Sequence, residues 1–217
     1  TPAGLYETLH ARYGDLEWWP AEGPFQVMVG AVLTQRTSWT NVERALGNLA
    51  DAGVVDMATL LALPIERLEA LIRPSGTYRQ KALRLLALFA MVDERGNGSL
   101  AAFLDRPMAD LRHDLLAVKG VGPETADSII LYAAGKPVFV VDAYTRRVLG
   151  RLGVTTGGSY DQVARWFQEG LPEDVAVYNN YHAMLVELAK DQCRTRPICE
   201  GCPIRSGCPV GRGEESP

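Results

Sequence analysis

Apolar residues recur along this chain at intervals of three and four from near the first residue to near the last, and that periodicity dictates an all-α fold. Leu5, Leu9 and Tyr13 form one stripe, and Val42, Ala45, Leu46 and Leu49 a second. Ile65, Leu68, Leu71 and Ile72 form a third, which Pro74-Ser75-Gly76 stops. Residues 79–92 continue with Ala82, Leu83, Leu86 and Phe89 until Gly96-Asn97-Gly98. Phe25 to Leu33 is apolar on nearly every side, the pattern of a helix buried all round. Later stripes are Leu111/Leu115, Ala126/Ile129/Ile130/Ala133, Val148/Leu149/Leu152, Val163/Trp166/Phe167 and Tyr181/Met184/Leu185/Leu188. Only Val138-Phe139-Val140-Val141 reads as extended, and four residues make no sheet. About ten short helices joined by short loops are expected.

With 217 residues the chain can build one large core or two small ones. No run approaches the ~18 apolar residues of a membrane span, and no basic segment leads into an apolar one at the start. A cytoplasmic monomer without a membrane partner is therefore expected. The 22 Lys and Arg against 26 Asp and Glu leave a net charge of −4, which excludes a uniformly basic surface. Phosphate contacts act over roughly 8–10 Å, however, so local clusters matter more than the total. Three segments are basic: 76–84 with Arg79, Lys81 and Arg84; 143–152 with Arg146, Arg147 and Arg151; and 190–212 with Lys190, Arg194, Arg196, Arg205 and Arg212.

All 4 cysteines fall in Cys193-x5-Cys199-x2-Cys202-x5-Cys208. Two disulfides here would cross-link only a tail, in a chain with no secretion signal. Four thiolates converging on a metal centre is the stronger reading, and spacing leaves zinc and iron–sulfur both open.

Residues 115–126 read as helix, glycine-flanked hairpin, helix. Gly120 and Gly122 permit tight backbone geometry, and Pro123 suits the first turn of the next helix. Free N–H groups at such a turn form an anion site suited to a DNA phosphate. Asp142 follows the extended run and precedes the helix 143–152. It reads either as an ordinary N-cap or as a carboxylate placed to face an electron-deficient sugar.

Leu115 to Leu152 resembles the helix–hairpin–helix, Gly/Pro loop and aspartate of the endonuclease III superfamily of DNA glycosylases. The four cysteines resemble that family's [4Fe–4S] motif. Leu33-Thr34-Gln35-Arg36-Thr37 is similar to the segment whose glutamine fills the gap left by a flipped nucleotide, and Gly76 to Ala82 to the loop that wedges into the opposite strand. Trp18-Trp19-Pro20, Gln35-x-Thr37-x-Trp39, Gly122-x-Glu124-x-Ala126-Asp127 and Tyr181-His182-x-x-x-Val186-Glu187 resemble the family's 3-methyladenine glycosylase branch.

The resemblance implies two helical lobes flanking a DNA-binding cleft. One is a six-helix barrel-like domain with the hairpin, residues 24–134; the other is an iron–sulfur cluster domain from residues 1–23 and 135–217. It implies a base-excision glycosylase acting on double-stranded DNA that holds a damaged base. Asp142 and Glu124 would be catalytic. Gln35, Thr77, Tyr78, Lys119, Gly120, Val121, Gly122, Arg146 and Arg147 would meet DNA, and Trp18, Trp19 and Trp39 would line the base pocket. Cys193, Cys199, Cys202 and Cys208 would hold the [4Fe–4S] cluster.

Three departures refine this. Glu124 stands where endonuclease III has the lysine that attacks the sugar, and a carboxylate forms no Schiff base, so a monofunctional enzyme is expected. The first cysteine gap is one residue shorter than the family's. Thr77 replaces a wedge leucine. A bifunctional lyase using another amine such as Lys119, a non-catalytic damage-binding protein and a zinc-binding regulatory module are the competing readings.

Overall fold

The computed structural model describes residues 1–16, 18, 21–154 and 158–214. It contains two compact units, one formed by Thr1–Trp18 with Pro137–Pro217 and the other by Trp19–Lys136. Among the described residues there is no β-strand, and no helix is long and apolar enough to cross a membrane.

The continuous unit holds α2 (Pro24–Leu33), α3 (Trp39–Asp51), α4 (Met57–Leu61), α5 (Ile65–Leu71), α6 (Tyr78–Arg95), α7 (Leu100–Asp105), α8 (Met108–Ala117) and α9 (Pro123–Ser128). Every residue of α2 except Pro24 and Gln26 is buried. This helix packs against α3, α6, α9 and the turn beyond α9, so the uninterrupted apolar run becomes the pillar of the unit. The neighbouring helices are amphipathic and turn one stripe inward, Val42, Ala45 and Leu49 from α3 and Ala82, Leu85, Leu88, Phe89 and Val92 from α6. Each large apolar side chain so buried contributes about 1.5–3 kcal/mol.

Two short helices are set by their caps. Asp56 and Thr59 form a reciprocal box at α4, and Ser99 accepts from the Ala102 amide at α7. After α9 the backbone widens over Ile129–Ala133, where the Ala134 N–H reaches back to the Ile129 carbonyl at 3.1 Å. The wider turn keeps Ile129, Ile130 and Leu131 all in the core. Asp127 at the end of α9 is fully buried and accepts from Arg112 Nε at 2.8 Å. A buried carboxylate of this kind is tolerated because it is paired.

The second unit holds α1 (Pro2–Tyr13), α10 (Ala143–Arg151), α11 (Tyr160–Glu169) and α12 (Val175–Asp191), with single turns at Arg205–Gly207 and Val210–Arg212. α12 packs on both α1 and α10. Val138 to Val141 are buried and pair with no neighbouring strand. Phe139 stacks on Phe167 at 3.8 Å and meets the edges of Tyr178 and Tyr181. Polar groups of α12 fasten the first segment. The Tyr181 hydroxyl donates to the Pro2 carbonyl at 2.9 Å, while the Asn180 amide accepts from Leu16 N–H and donates to the Gly14 carbonyl.

Candidate functional site

α8 ends at Ala117, and Val118 turns the chain out into the hairpin. The Val121 N–H closes this turn on the Val118 carbonyl at 3.0 Å. Gly120 has φ 90°, a conformation that side chains rarely adopt. Gly122 caps α9 and Pro123 opens it. Lys119, Gly120, Gly122 and Glu124 are exposed, whereas Val121 turns into the core and anchors the hairpin tip.

Gln35 lies just past the C-terminus of α2 and is tied to this hairpin at both ends of its amide. Its Nε2 donates to the Gly120 carbonyl at 3.1 Å and to Thr125 Oγ1 at 3.0 Å. Its Oε1 accepts from Arg84 Nη1 at 2.6 Å. Arg84 comes from α6 and its side chain occupies the space beside Gly120, where a Cβ would collide with Arg84 Nε. The residue expected to fill a gap in DNA is thus held, in this structure, by three partners of its own unit. Arg84 was visible in the sequence only as part of a basic segment.

The loop expected to act as a wedge sits at the start of α6. Gly76 has φ 68° and Thr77 φ 41°, so Thr77 occupies the left-handed region and carries backbone strain. Thr77 is exposed, and the guanidiniums of Arg73 and Arg79 each lie 5.8 Å from the centre of the Tyr78 ring. Beneath the loop the ammonium of Lys81 is fully buried and donates to the Leu33 carbonyl at 2.8 Å and the Ser75 carbonyl at 2.6 Å. Burial, with Arg84 nearby, pushes its pKa down to about 8. Lys81 therefore joins the end of α2, which leads to Gln35, to the turn that leads to Thr77.

In the other unit Asp142 is the N-cap of α10, and its Oδ1 accepts from the Thr145 amide at 2.7 Å. Oδ2 faces Nε2 of His182, from α12, at 3.5 Å. The carboxylate is 14% exposed and the imidazole 6%. Burial works to raise the Asp142 pKa, but His182 and the Thr145 amide outweigh it and hold the carboxyl below the ordinary value. The Trp18 ring stands edge-on to His182 with centroids 6.3 Å apart. Its indole N–H is buried without an acceptor among the described residues, and Lys190 Nζ lies 5.1 Å from its ring. Trp19 lies outside the described residues. Trp39 begins α3 and is half-buried.

The arginines of α10 divide. Arg146 is exposed and donates to the Gly158 carbonyl. Arg147 turns inward, to the carbonyls of Cys193 at 2.7 Å and Ala189 at 3.0 Å. Arg151 reaches the sulfur of Cys193 at 3.1 Å and the carbonyls of Arg194 and Thr195. Cys193, Cys199, Cys202 and Cys208 all line one cavity with Arg151, Ile198 and Ile204. Burial, with the other three thiols close by, raises the Cys202 pKa. Among the described residues no three ligating side chains are close enough together to hold a single metal ion. Four sulfurs thus line one cavity, with a guanidinium against one of them.

Residues 29–173 match the model of the HhH-GPD superfamily of base excision DNA repair proteins. The chain belongs to that superfamily. A protein of Methanocaldococcus jannaschii assigned as a DNA repair glycosylase is 44% identical over 91% of either chain. Endonuclease III of Thermotoga maritima is 31% identical over 82% of this chain and 79% of its own. Among solved structures, H. pylori 3-methyladenine DNA glycosylase bound to 1,N6-ethenoadenine superposes with a TM-score of 0.79 at 28% identity, over 87% of this chain and 97% of that one. A non-covalent endonuclease III–DNA complex gives 0.84 at 25% identity over 98% and 97%. The HhH-GPD member described here is accordingly a DNA repair glycosylase.

Proposed function

We propose that the protein is a monofunctional DNA glycosylase, hydrolysing the N-glycosidic bond of a damaged base swung out of duplex DNA. The observation that supports this most directly is Asp142. One carboxylate oxygen is fixed by the α10 amide and the other remains beside His182, in a setting that favours the ionised form. As the glycosidic bond lengthens, positive charge grows on the sugar, and a preoriented carboxylate stabilises it and orients the attacking water. Extrusion brings the damaged nucleotide to the enzyme. Lys119 and the exposed hairpin backbone take the phosphates, with Arg146 contributing from α10. Gln35 and the Thr77–Tyr78 loop hold the vacated position open.

Glu124 at the first turn of α9 supplies no amine, which supports base removal without strand cleavage. Trp18, Trp19 and Trp39 would give the base pocket aromatic faces, and such faces attract cationic alkylated purines by ~0.5–2 kcal/mol. Relatedness to a glycosylase solved with 1,N6-ethenoadenine favours modified purines over oxidised pyrimidines. The four cysteines fit a [4Fe–4S] cluster, which would supply rigidity to the turns 193–212 rather than chemistry on the base. The same resemblance suggests the lobe boundaries given above, a monomer and an intracellular setting.

The test is a panel of duplexes carrying single alkylated purines, ethenoadenine or oxidised pyrimidines, scored separately for base loss and strand cleavage. Base loss from modified purines without cleavage is expected, with Asp142→Asn inactive on the same duplexes. A borohydride-trapped adduct on abasic DNA would replace this reading by a lyase acting through an amine such as Lys119. Tight binding with no base loss on any duplex would make the protein a damage-binding module.

A further inference from the structure

The dyad formed by Asp142 and His182 has a division of labour that the sequence did not disclose. Asp142 has two oxygens with different duties. Oδ1 is committed to the Thr145 amide at 2.7 Å and fixes the plane of the carboxylate. Oδ2 is the oxygen left for chemistry, and the group facing it is the His182 ring at 3.5 Å. His182 is itself immobilised. It sits in the most buried stretch of α12, between Tyr181 and Ala183, both with no exposed surface, and the edge of Trp18 stands against its ring. An imidazole placed this firmly beside a lone carboxylate oxygen is not needed for packing, where an apolar ring would serve as well.

We propose that His182 is a positioning residue for base excision, which keeps Oδ2 of Asp142 ionised and aimed until the glycosidic bond breaks. The inference rests on the reading that Asp142 is the catalytic carboxylate.

The cations nearby have other employment. Arg146 is engaged by Gly158, Arg147 by Cys193 and Ala189, and Arg151 by Cys193, Arg194 and Thr195. Lys190 pairs with Glu187 at 2.9 Å and lies over Trp18. Tyr178 and Tyr181, on the same helix as His182, are buried phenols whose pKa values burial raises, so they stay neutral. His182 and Thr145, the latter through both its amide and its side chain, are therefore the groups that favour the charge on Asp142 against its burial. His182 contributes most among them, and its ring can be replaced without disturbing the α10 cap.

The experiment is single-turnover base release from pH 4 to 8, on the duplex of the panel that the wild type processes best. It compares wild type, Asp142→Asn, His182→Phe and His182→Gln. Phenylalanine keeps the ring and removes the donor; glutamine keeps a donor near the Nε2 position without a proton to titrate. Losing an opposite or hydrogen-bonding partner raises a carboxyl pKa by roughly one to two units, so the acidic limb of the His182→Phe profile should move to higher pH by that amount. The wild-type limb lies below the ordinary 3.8, so the rate of the variant at pH 5 should fall by up to about sevenfold and recover by about pH 7. His182→Gln should fall between the two. Affinity for a duplex with a tetrahydrofuran abasic analogue should be unchanged in every variant.

An acidic limb that stays at the wild-type pH in His182→Phe, while Asp142→Asn is inactive, overturns the role of His182 and leaves that of Asp142 standing. Should His182→Phe fail to fold, a wild-type limb in His182→Gln has the same force. Full activity in Asp142→Asn removes the carboxylate reading, and this inference with it.

Discussion

Replacing Lys81 by methionine tests the most unusual charge in the molecule. The ammonium has no exposed surface, and its visible partners are two neutral carbonyls, those of Leu33 and Ser75. Burial brings its pKa to about 8 from the ordinary 10.5. Between those two pH values the unfolded chain binds the proton that the native state has released, so native stability rises with pH through this window. Carrying the wild type from pH 7 to pH 9.5 should stabilise it through this group by about 2 kcal/mol. Lys81→Met has no such contribution. Tyr13, whose pKa burial raises to about 12, acts in the opposite sense above pH 10, equally in both proteins. Methionine also strips two buried carbonyls of their donor, at about 1–3 kcal/mol each, a cost that does not vary with pH. Urea denaturation followed by circular dichroism at both pH values measures the difference. With a slope of about 1–3 kcal/mol per molar urea, the gap between the two midpoints should widen by about 1 M at pH 9.5. Midpoints that shift in parallel would show that Lys81 is not held in the low-pKa state, and the account of it as a buried tie would fail.

Gly120→Ala should destabilise the protein and weaken its hold on DNA together. The added methyl collides with Arg84 Nε at a φ of 90°, so the Arg84–Gln35 contact breaks; a thermal melt and a salt titration of duplex binding would read a loss of about 1–3 kcal/mol in stability. Unchanged values in both would mean that the hairpin tolerates rearrangement. The cysteine cavity predicts about four iron and four sulfide per chain in protein purified without air, with Cys202→Ser lowering both. Stoichiometric zinc in colourless protein would instead favour a mononuclear site.

Much of the architecture was legible because helix periodicity is a local property. The stripe at Val42, Ala45 and Leu49 and the apolar run 25–33 became α3 and α2 where they were expected. Shorter pieces were harder. Met57–Leu61 and Leu100–Asp105 span too few residues to show a period, and their starts are announced by Asp56 and Ser99 instead. Val138 to Val141 read as extended but join no sheet among the described residues, and at Phe139 their burial is against aromatic rings. Asp142 and the four cysteines stood out in the sequence because they fall in a recognisable order, and the structure puts Asp142 at the start of α10 and the cysteines along one cavity. Arg84, Lys81 and His182 were not singled out for a role, because what distinguishes them is burial and pairing across 40 to 49 positions, which spacing along one helix does not record. Arg147, expected on the DNA, shows the converse: its charge was legible and its inward direction was not.

The unit that contains Asp142 is sewn from two separated stretches of chain. Tyr181 must find Pro2, 179 positions earlier, and Asn180 must find Gly14, 166 positions earlier. During synthesis at about 5–20 residues per second, α1 would wait roughly ten to thirty seconds for its partner helix to emerge. The stretch 19–136 meanwhile has all its own contacts to hand. The hairpin can thus fold before α12 emerges to set His182 beside Asp142.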